Sequence, residues 1–411
     1  MKKLIIPYLL LASVLMQAQP PVRIGVITDT HYLSEQLMDN GYAAQGYAST
    51  SGREIADIPE VLDQVIKDYA DSNIDFLFVC GDMAKDGERK SHEDFVKQLK
   101  PLQEKGVRVF VVPGNHDINV PNPAGYRGNT TFDTENVSPE QFAGIYASCG
   151  YADAMKRDTV SLSYVARLTE SVWLLSIDAA RYQDYGERTI SAGRILPQTE
   201  KWVLDVLDEA QGKHIQVVGM MHWGLVEHLT MQSAFFEDYL VADWYRLASL
   251  FADRGMKAIF TGHFHANDIT EHISDRGSKI YDIETGALCS YPFAYRFVDL
   301  YPNKMVIETK NILSTPNNPR LAEDSRVQLA GIARRQAYNK LNGMGLQMPD
   351  DVLKPMAEAM SQIFILHLEG DEQMTPELKT ALDNLAEQTE DDAFEDGLDF
   401  YPADNNVEIA F

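Results

Sequence analysis

Five short apolar, β-branched runs each end in residues able to hold a metal ion or move a proton. Val26-Ile27-Thr28 leads into Asp29-Thr30-His31, and Leu77 to Cys80 into Gly81-Asp82, with Gly87 five residues on. Val109 to Val112 leads into Pro113-Gly114-Asn115-His116-Asp117, Val217 to Met221 into His222, and Ala258 to Thr261 into Gly262-His263-Phe264-His265. Asp29, His31, Asp82, Asn115, His222, His263 and His265 offer oxygen and imidazole donors and no thiolate. Seven such donors exceed what one ion takes from protein while keeping an open position. They suit two adjacent divalent ions if one carboxylate is shared.

Such a site needs a framework that brings five distant segments together. Val22–Thr28, Asp75–Cys80, Val107–Val112, Val172–Ile177, Ile215–Met221 and Lys257–Thr261 read as strands. Ile58–Tyr69, Pro197–Glu209 and Asp238–Arg254 read as amphipathic helices between them. Alternation of this kind predicts a layered α/β fold whose ligands sit outside the carboxyl ends of the strands, so all five clusters would share one rim. From Lys279 the pattern turns to strands without helices, Ile280–Ile283, Phe293–Leu300 and Met305–Lys310, which predicts a second, more antiparallel sheet. A turn-rich break at 314–319 follows, and residues 320–341, 350–369 and 376–389 read as a helical appendage with no further strand.

The chain has 411 residues, 45% of them hydrophobic, enough for a substantial core. Its formal charge of −25 argues against a polymeric nucleic-acid partner, because that binding rests on clustered Lys and Arg. Thirteen acidic residues and one Lys fall within 371–411, so an acidic, solvated tail is expected there. At the other end, Lys2 and Lys3 precede apolar Leu4–Met16 and small Ala18. This run is shorter than the ~20 residues a membrane span needs and reads as a secretory signal covering 1–18. The mature protein is therefore expected to be exported, periplasmic or secreted, with no stable membrane insertion. Of three cysteines, Cys80 reads as a buried small hydrophobe, and a Cys149–Cys289 disulfide is left open.

The ordered set D-x-H, G-D-x4-G, G-N-H-D, H and G-H-x-H resembles the calcineurin-like metallophosphoesterase superfamily over roughly residues 22–310. The resemblance implies a four-layer α/β/β/α sandwich at 19–313 with a dinuclear site. Asp29, His31, Asp82 and His265 would bind one metal; Asp82, as the bridge, would join Asn115, His222 and His263 on the other. His116 matches the family's catalytic histidine, and Asp117 its following acidic position. Two divalent ions, Mn, Fe or Zn, would activate a bridging hydroxide for in-line attack on phosphorus and supply the positive field the acidic chain lacks.

Asp29-Thr-His31-Tyr32-Leu33-Ser34, the long first gap and the helical appendage resemble exported bacterial cyclic-nucleotide phosphodiesterases, which implies cyclic nucleotides or activated aryl phosphates as small phosphoester substrates. Many of those enzymes carry a second His after the block-four His, where Trp223 stands here. Two other readings are a phosphomonoesterase or nucleotidase on the same site and a non-catalytic, metal-containing binding module. Tyr32, within the tyrosine-bearing segment His31–Arg53, and Arg127, able to reach a phosphate oxygen, are candidate substrate contacts. The His31–Arg53 segment reads equally as a lid or a surface loop, and His228 as structural or exposed.

Overall fold

The structure is a computed structural model that describes residues 20–229, 232–343, 349–376, 378–380, 382–383 and 403–411. The proposed signal segment and most of the acidic tail, including 390–399, lie outside the described residues.

In chain order the strands are β1 Val22–Ile27, β2 Phe76–Val79, β3 Arg108–Val111, β4 Ala124–Arg127, β5 Thr130–Asp133, β6 Lys156–Arg157, β7 Tyr164–Arg167, β8 Val172–Ser176, β9 Gln216–Met220, β10 Met256–Thr261, β11 Asp268–Ile273, β12 Lys279–Glu284, β13 Ala294–Leu300, β14 Lys304–Asn311 and β15 Asn406–Ala410. The helices are α1 Tyr42–Ser51, α2 Ile58–Ser72, α3 Arg89–Gln98, α4 Lys100–Glu104, α5 Pro139–Ile145, α6 Pro197–Gly212, α7 Gln232–Phe235, α8 Trp244–Asp253, α9 Leu321–Gly343 and α10 Asp350–Glu369.

Two sheets pack face to face. One has the order β15-β14-β13-β1-β2-β3 and the other β11-β12-β10-β9-β8-β7-β6. Each has a parallel run, β1-β2-β3 at one end of the first and β12-β10-β9-β8 in the middle of the second, with the remaining strands antiparallel. Aromatic side chains join the sheets: the rings of Phe78 on β2 and Phe260 on β10 lie 5.6 Å apart, and the Tyr164 hydroxyl on β7 donates to the Val111 carbonyl on β3 at 2.9 Å. On the outer face of the first sheet, α2 buries Ile58, Val61, Leu62, Val65, Ile66 and Tyr69, the stripe expected from the periodicity. The Tyr69 hydroxyl caps that contact by donating to the Val26 and Arg296 carbonyls. Helices α6 and α8 cover the second sheet, giving the expected four layers.

The six strands read from the sequence fall within one residue of the structure at each end. Two expectations are corrected. The strands after Lys279 do not form a separate sheet: β12 pairs parallel with β10 in the second sheet, while β13 and β14 extend the first. The region 320–411 is also not wholly helical, because β15 pairs antiparallel with β14 and closes that edge. Its Ile409 is buried, so a five-residue segment gains both a ladder and a core contact, a tertiary gain that local pattern does not register. The expected helix at 238–254 is shortened to α8, because bridges Gly193–Val241 and Gly224–Leu240 hold its first residues extended. Cys80, Cys149 and Cys289 are all buried free thiols, so no disulfide joins Cys149 to Cys289. No described helix is long and apolar enough to cross a membrane.

Candidate metal centre

All five clusters reach the same rim because the strands that carry them belong to the parallel runs of the two sheets. The backbone turns sharply as it leaves β1, β2 and β10. Asp29, His31, Asp82, His263 and His265 have φ of 49°, 39°, 51°, 73° and 68°, a left-handed conformation that costs a non-glycine residue about 1 kcal/mol or more. Five such residues converging on one point mark a site whose geometry is imposed by its surroundings. Two glycines permit the close approach: a Cβ at Gly114 would strike the Asp82 carboxylate, and one at Gly262 would strike Thr28 and Asp29.

The carboxylates stand between the imidazoles. Asp29 Oδ1 lies 3.1 Å from His265 Nε2, 3.7 Å from His31 Nε2 and 3.9 Å from His222 Nε2. Its other oxygen accepts from Thr28 Oγ1 and the His263 amide. Asp82 Oδ2 lies 3.3 Å from His222 Nε2 and 3.6 Å from His31 Nε2, while Oδ1 accepts from the His116 amide. Donors that share an ion at about 2.0–2.2 Å each stand roughly 3–4 Å apart. His222 donates from Nδ1 to the Cys80 carbonyl, and His263 from Nε2 to the Asp238 carbonyl, so each presents its other nitrogen as a lone pair.

Two divalent ions fit these residues on three independent counts. Asp29, His31 and His265 form one group of convergent donor atoms, Asp82, His222 and His263 another, and Asp82 also groups with His31. Buried His31 Nε2, His222 Nε2 and Asn115 Oδ1 have no hydrogen-bond partner, a cost that a cation removes. The electrostatics agree. Burial favours the neutral form of Asp82 and Asp29, yet the surrounding imidazoles hold both carboxyls well below the usual range. Burial opposes charge on His222, but Asp82 and Asp29 raise its imidazole to about 9. Burial lowers His31 to about 3, helped by the charge of Arg53.

His116 faces the same space with a different role available. Its Nδ1–H donates to Asp86 Oδ1 at 2.8 Å, and its Nε2 lies 3.4 Å from an Arg53 nitrogen. Asp86 is in turn paired with buried Lys85, which also lies 3.3 Å from Glu88. Asp117, expected in the catalytic set as the acidic residue that follows His116 and orients a neighbour, faces away from the cavity. It is fully buried, and its carboxylate accepts from the Ala84 and Gly114 amides at 3.1 and 2.8 Å. Burial, then the nearby Asp82 charge, raise it to about 7. It ties two ligand-bearing loops together and does not line the cavity.

That cavity, about 350 Å³, has Asp82, Asn115, His116, His263 and His265 on its floor and Arg53 at its side. Its opposite wall is apolar: Leu329 and Ile332 from α9, Phe364 and Leu368 from α10, and Phe236 and Phe264. The two candidate substrate contacts lie elsewhere. Tyr32 is buried against Phe95, because its backbone pairs with Ala84 and turns the ring into the core. Arg127 ends β4 in a hairpin, its guanidinium over the Phe132 ring. Between His31 and Arg53 the chain forms α1, not a loop. His228 is buried among Asp268, Asp282 and Glu284, a structural ion network. Sequence reasoning missed Arg53 and Asp86. Asp86 directly precedes Gly87 of the G-D-x4-G block and was within reach of that motif; Arg53 belongs to no block.

A model of the calcineurin-like phosphoesterase family matches residues 22–267, more than half of the chain. The chain belongs to the calcineurin-like phosphoesterase family. Among solved structures, a dimetal phosphatase from Danio rerio is 14% identical with a TM-score of 0.50, over 71% of this chain and 97% of that one. The structure of PhoD is 12% identical (TM-score 0.41), over 71% of this chain and 66% of that one. A purple acid phosphatase from yellow lupin seeds is 13% identical (TM-score 0.42), over 72% and 52%. At these identities the likeness is one of fold. No curated protein matches the sequence.

Proposed function

We propose that this phosphoesterase is an exported, dinuclear enzyme acting on small phosphoesters, with cyclic-nucleotide phosphodiesters as its preferred class. Asp29, His31, Asp82 and His265 would hold one ion, and Asp82, Asn115, His222 and His263 the other. The observation that carries this reading is the set of unpartnered buried donors around a shared Asp82 at the floor of an open cavity. Bound there, two divalent ions would supply Lewis acidity and a nucleophile derived from water at neutral pH.

The chain's own residues account for the proton. With Nδ1–H committed to Asp86, His116 turns Nε2 toward the cavity, where it accepts from Arg53. A substrate phosphate that engages Arg53 would free Nε2 to carry a proton, which would pass to the leaving oxygen as the new P–O bond forms and the ester P–O bond breaks. Asp117 keeps His116 in place through the Gly114 amide. The aromatic and aliphatic wall opposite the floor excludes water and suits a nucleobase. Trp223, where a second His would follow, is buried with its indole nitrogen donating to the Ser191 carbonyl and its ring against His222 and His263, so it supports two ligand imidazoles.

A phosphomonoesterase is the second reading, favoured by Arg53, whose charge suits the second negative charge of a monoester. Product analysis of the metal-loaded chain with 2′,3′-cyclic AMP and with AMP separates the two. Ring opening supports the first; phosphate release from AMP without ring opening replaces it with the second.

A further inference from the structure

Among the described residues, Arg53 is the one lysine or arginine lining the cavity, and it is half-buried. Lys85 pairs with Asp86 and Glu88, and Arg296 donates to the Asp404 and Glu284 carbonyls. Arg53 lines the cavity with only the Tyr47 hydroxyl, at 3.0 Å, and His116 Nε2 within reach; no described carboxylate forms an ion pair with it. A guanidinium that lines a cavity with no carboxylate paired to it has donors left to take an anion. Its planar fork matches two phosphate oxygens at once.

The C-terminal helices fix where that fork points. Gly52, at φ 77°, closes α1 directly beneath α9, and a Cβ there would strike Leu329. Gln328 on α9 donates to the Ala48 carbonyl at 2.9 Å and to Glu54 Oε1 at 3.3 Å, clasping the loop on both sides of Arg53. The Glu54 amide anchors the same loop to the Cys289 carbonyl at 2.8 Å. The helix that supplies Leu329 and Ile332 to the apolar wall therefore also positions the cation facing that wall.

We propose that Arg53 and the wall from α9 and α10 form a two-part subsite, in which Arg53 holds a non-bridging phosphate oxygen and the wall holds a flat, uncharged ring on the ester. The substrate class is then a phosphoester of an aryl or nucleobase-bearing group, and α9 is part of the site and not a pendant. This rests on the reading of the metal centre as a phosphoester site.

The test uses full-length, Mn²⁺-loaded protein and two ligands that cannot be hydrolysed, phenylphosphonate and methylphosphonate, titrated calorimetrically. Phenylphosphonate should bind about tenfold tighter or better, the gain expected from burying one ring face. Arg53→Gln should weaken both ligands by a similar factor, about tenfold, with metal content unchanged. Ile332→Asp should erase the advantage of the ring and leave methylphosphonate affinity within twofold. Equal affinities of the wild type for the two ligands, or unchanged affinities in Arg53→Gln, overturn the subsite. If Arg53→Gln does not fold, Arg53→Met carries the test, and unchanged affinity in that variant is equally decisive against it. Hydrolysis of 4-nitrophenyl phosphate is followed in parallel. Absence of turnover with intact phosphonate binding sinks the catalytic reading and leaves the subsite standing.

Discussion

At the strand ends, Asp29, His31, Asp82, His263 and His265 occupy left-handed backbone, each within a few residues of a parallel strand, and buried His31 Nε2, His222 Nε2 and Asn115 Oδ1 lack partners. Across the cavity, α9 and α10 are ordinary helices held to the sandwich by distant contacts. Asn267 donates to the Leu368 carbonyl, the Tyr291 hydroxyl to Glu369, and Asp404 accepts from the Ile269 and Asp371 amides. One side holds strain and unsatisfied ligand atoms; the other supplies shape, with His367 Nε2 on α10 its own unpartnered buried nitrogen. Catalytic machinery and specificity surface therefore depend on different physics, and substitutions should separate them.

The sharpest separation should come from Asp82→Ala, which removes the shared carboxylate. Turnover should fall by roughly 10³-fold or more, and elemental analysis should find less metal, while circular dichroism stays native. Native metal content in that variant would break the assignment of Asp82 as the bridge. His116→Ala comes next, with kcat expected to drop about 10²–10⁴-fold and metal content unchanged. Loss of both together would move His116 from proton donor to ligand.

Variants on the other side should act on stability and leave metal content alone. Asp404→Ala strands two buried amides, Ile269 and Asp371, and should cost about 2 kcal/mol or more in chemical denaturation. The same residue gives a pH signature. Burial first, then the Asp268 charge, push its carboxyl up to about 8, so the folded state prefers it protonated. A raised folded-state pKa contributes stability below the unfolded value, and that contribution is lost as pH rises through about 8. Wild type should lose thermal stability as pH rises from about 4 to about 8 and level off above that, and Asp404→Asn should flatten that slope; an unchanged slope assigns the titration elsewhere. The smallest effect belongs to Glu200→Gln, which breaks an exposed pair with Arg246 at 2.6 Å and should cost under about 1 kcal/mol by the same denaturation.

The same division explains what could be read from sequence. Strands β1, β2, β3, β8, β9 and β10 are continuous apolar runs buried on both faces, so composition alone marks their ends, and the donors follow at once. Edge strand β15 owes its existence to β14, far back along the chain, and two-residue β6 is too short for its own pattern to stand out. Tyr32 illustrates the limit of adjacency: one residue after a ligand, it faces the core because a bridge to Ala84 sets its direction. Arg53 illustrates the converse. Its position depends on α9, nearly 280 residues later, and no spacing rule spans that distance.

The pairing of β15 with β14 has a mechanical consequence. The segment carrying α9 and α10 leaves the first sheet at Asn311 and returns to the neighbouring strand at Asn406, so it is moored at both ends along one five-pair ladder. A wall tethered in this way cannot swing aside as a door on one hinge without unzipping that edge of the sheet. Ligand traffic must then pass through a fixed mouth, and affinity would be set by how well a molecule fits that opening, with no closing motion to wait for.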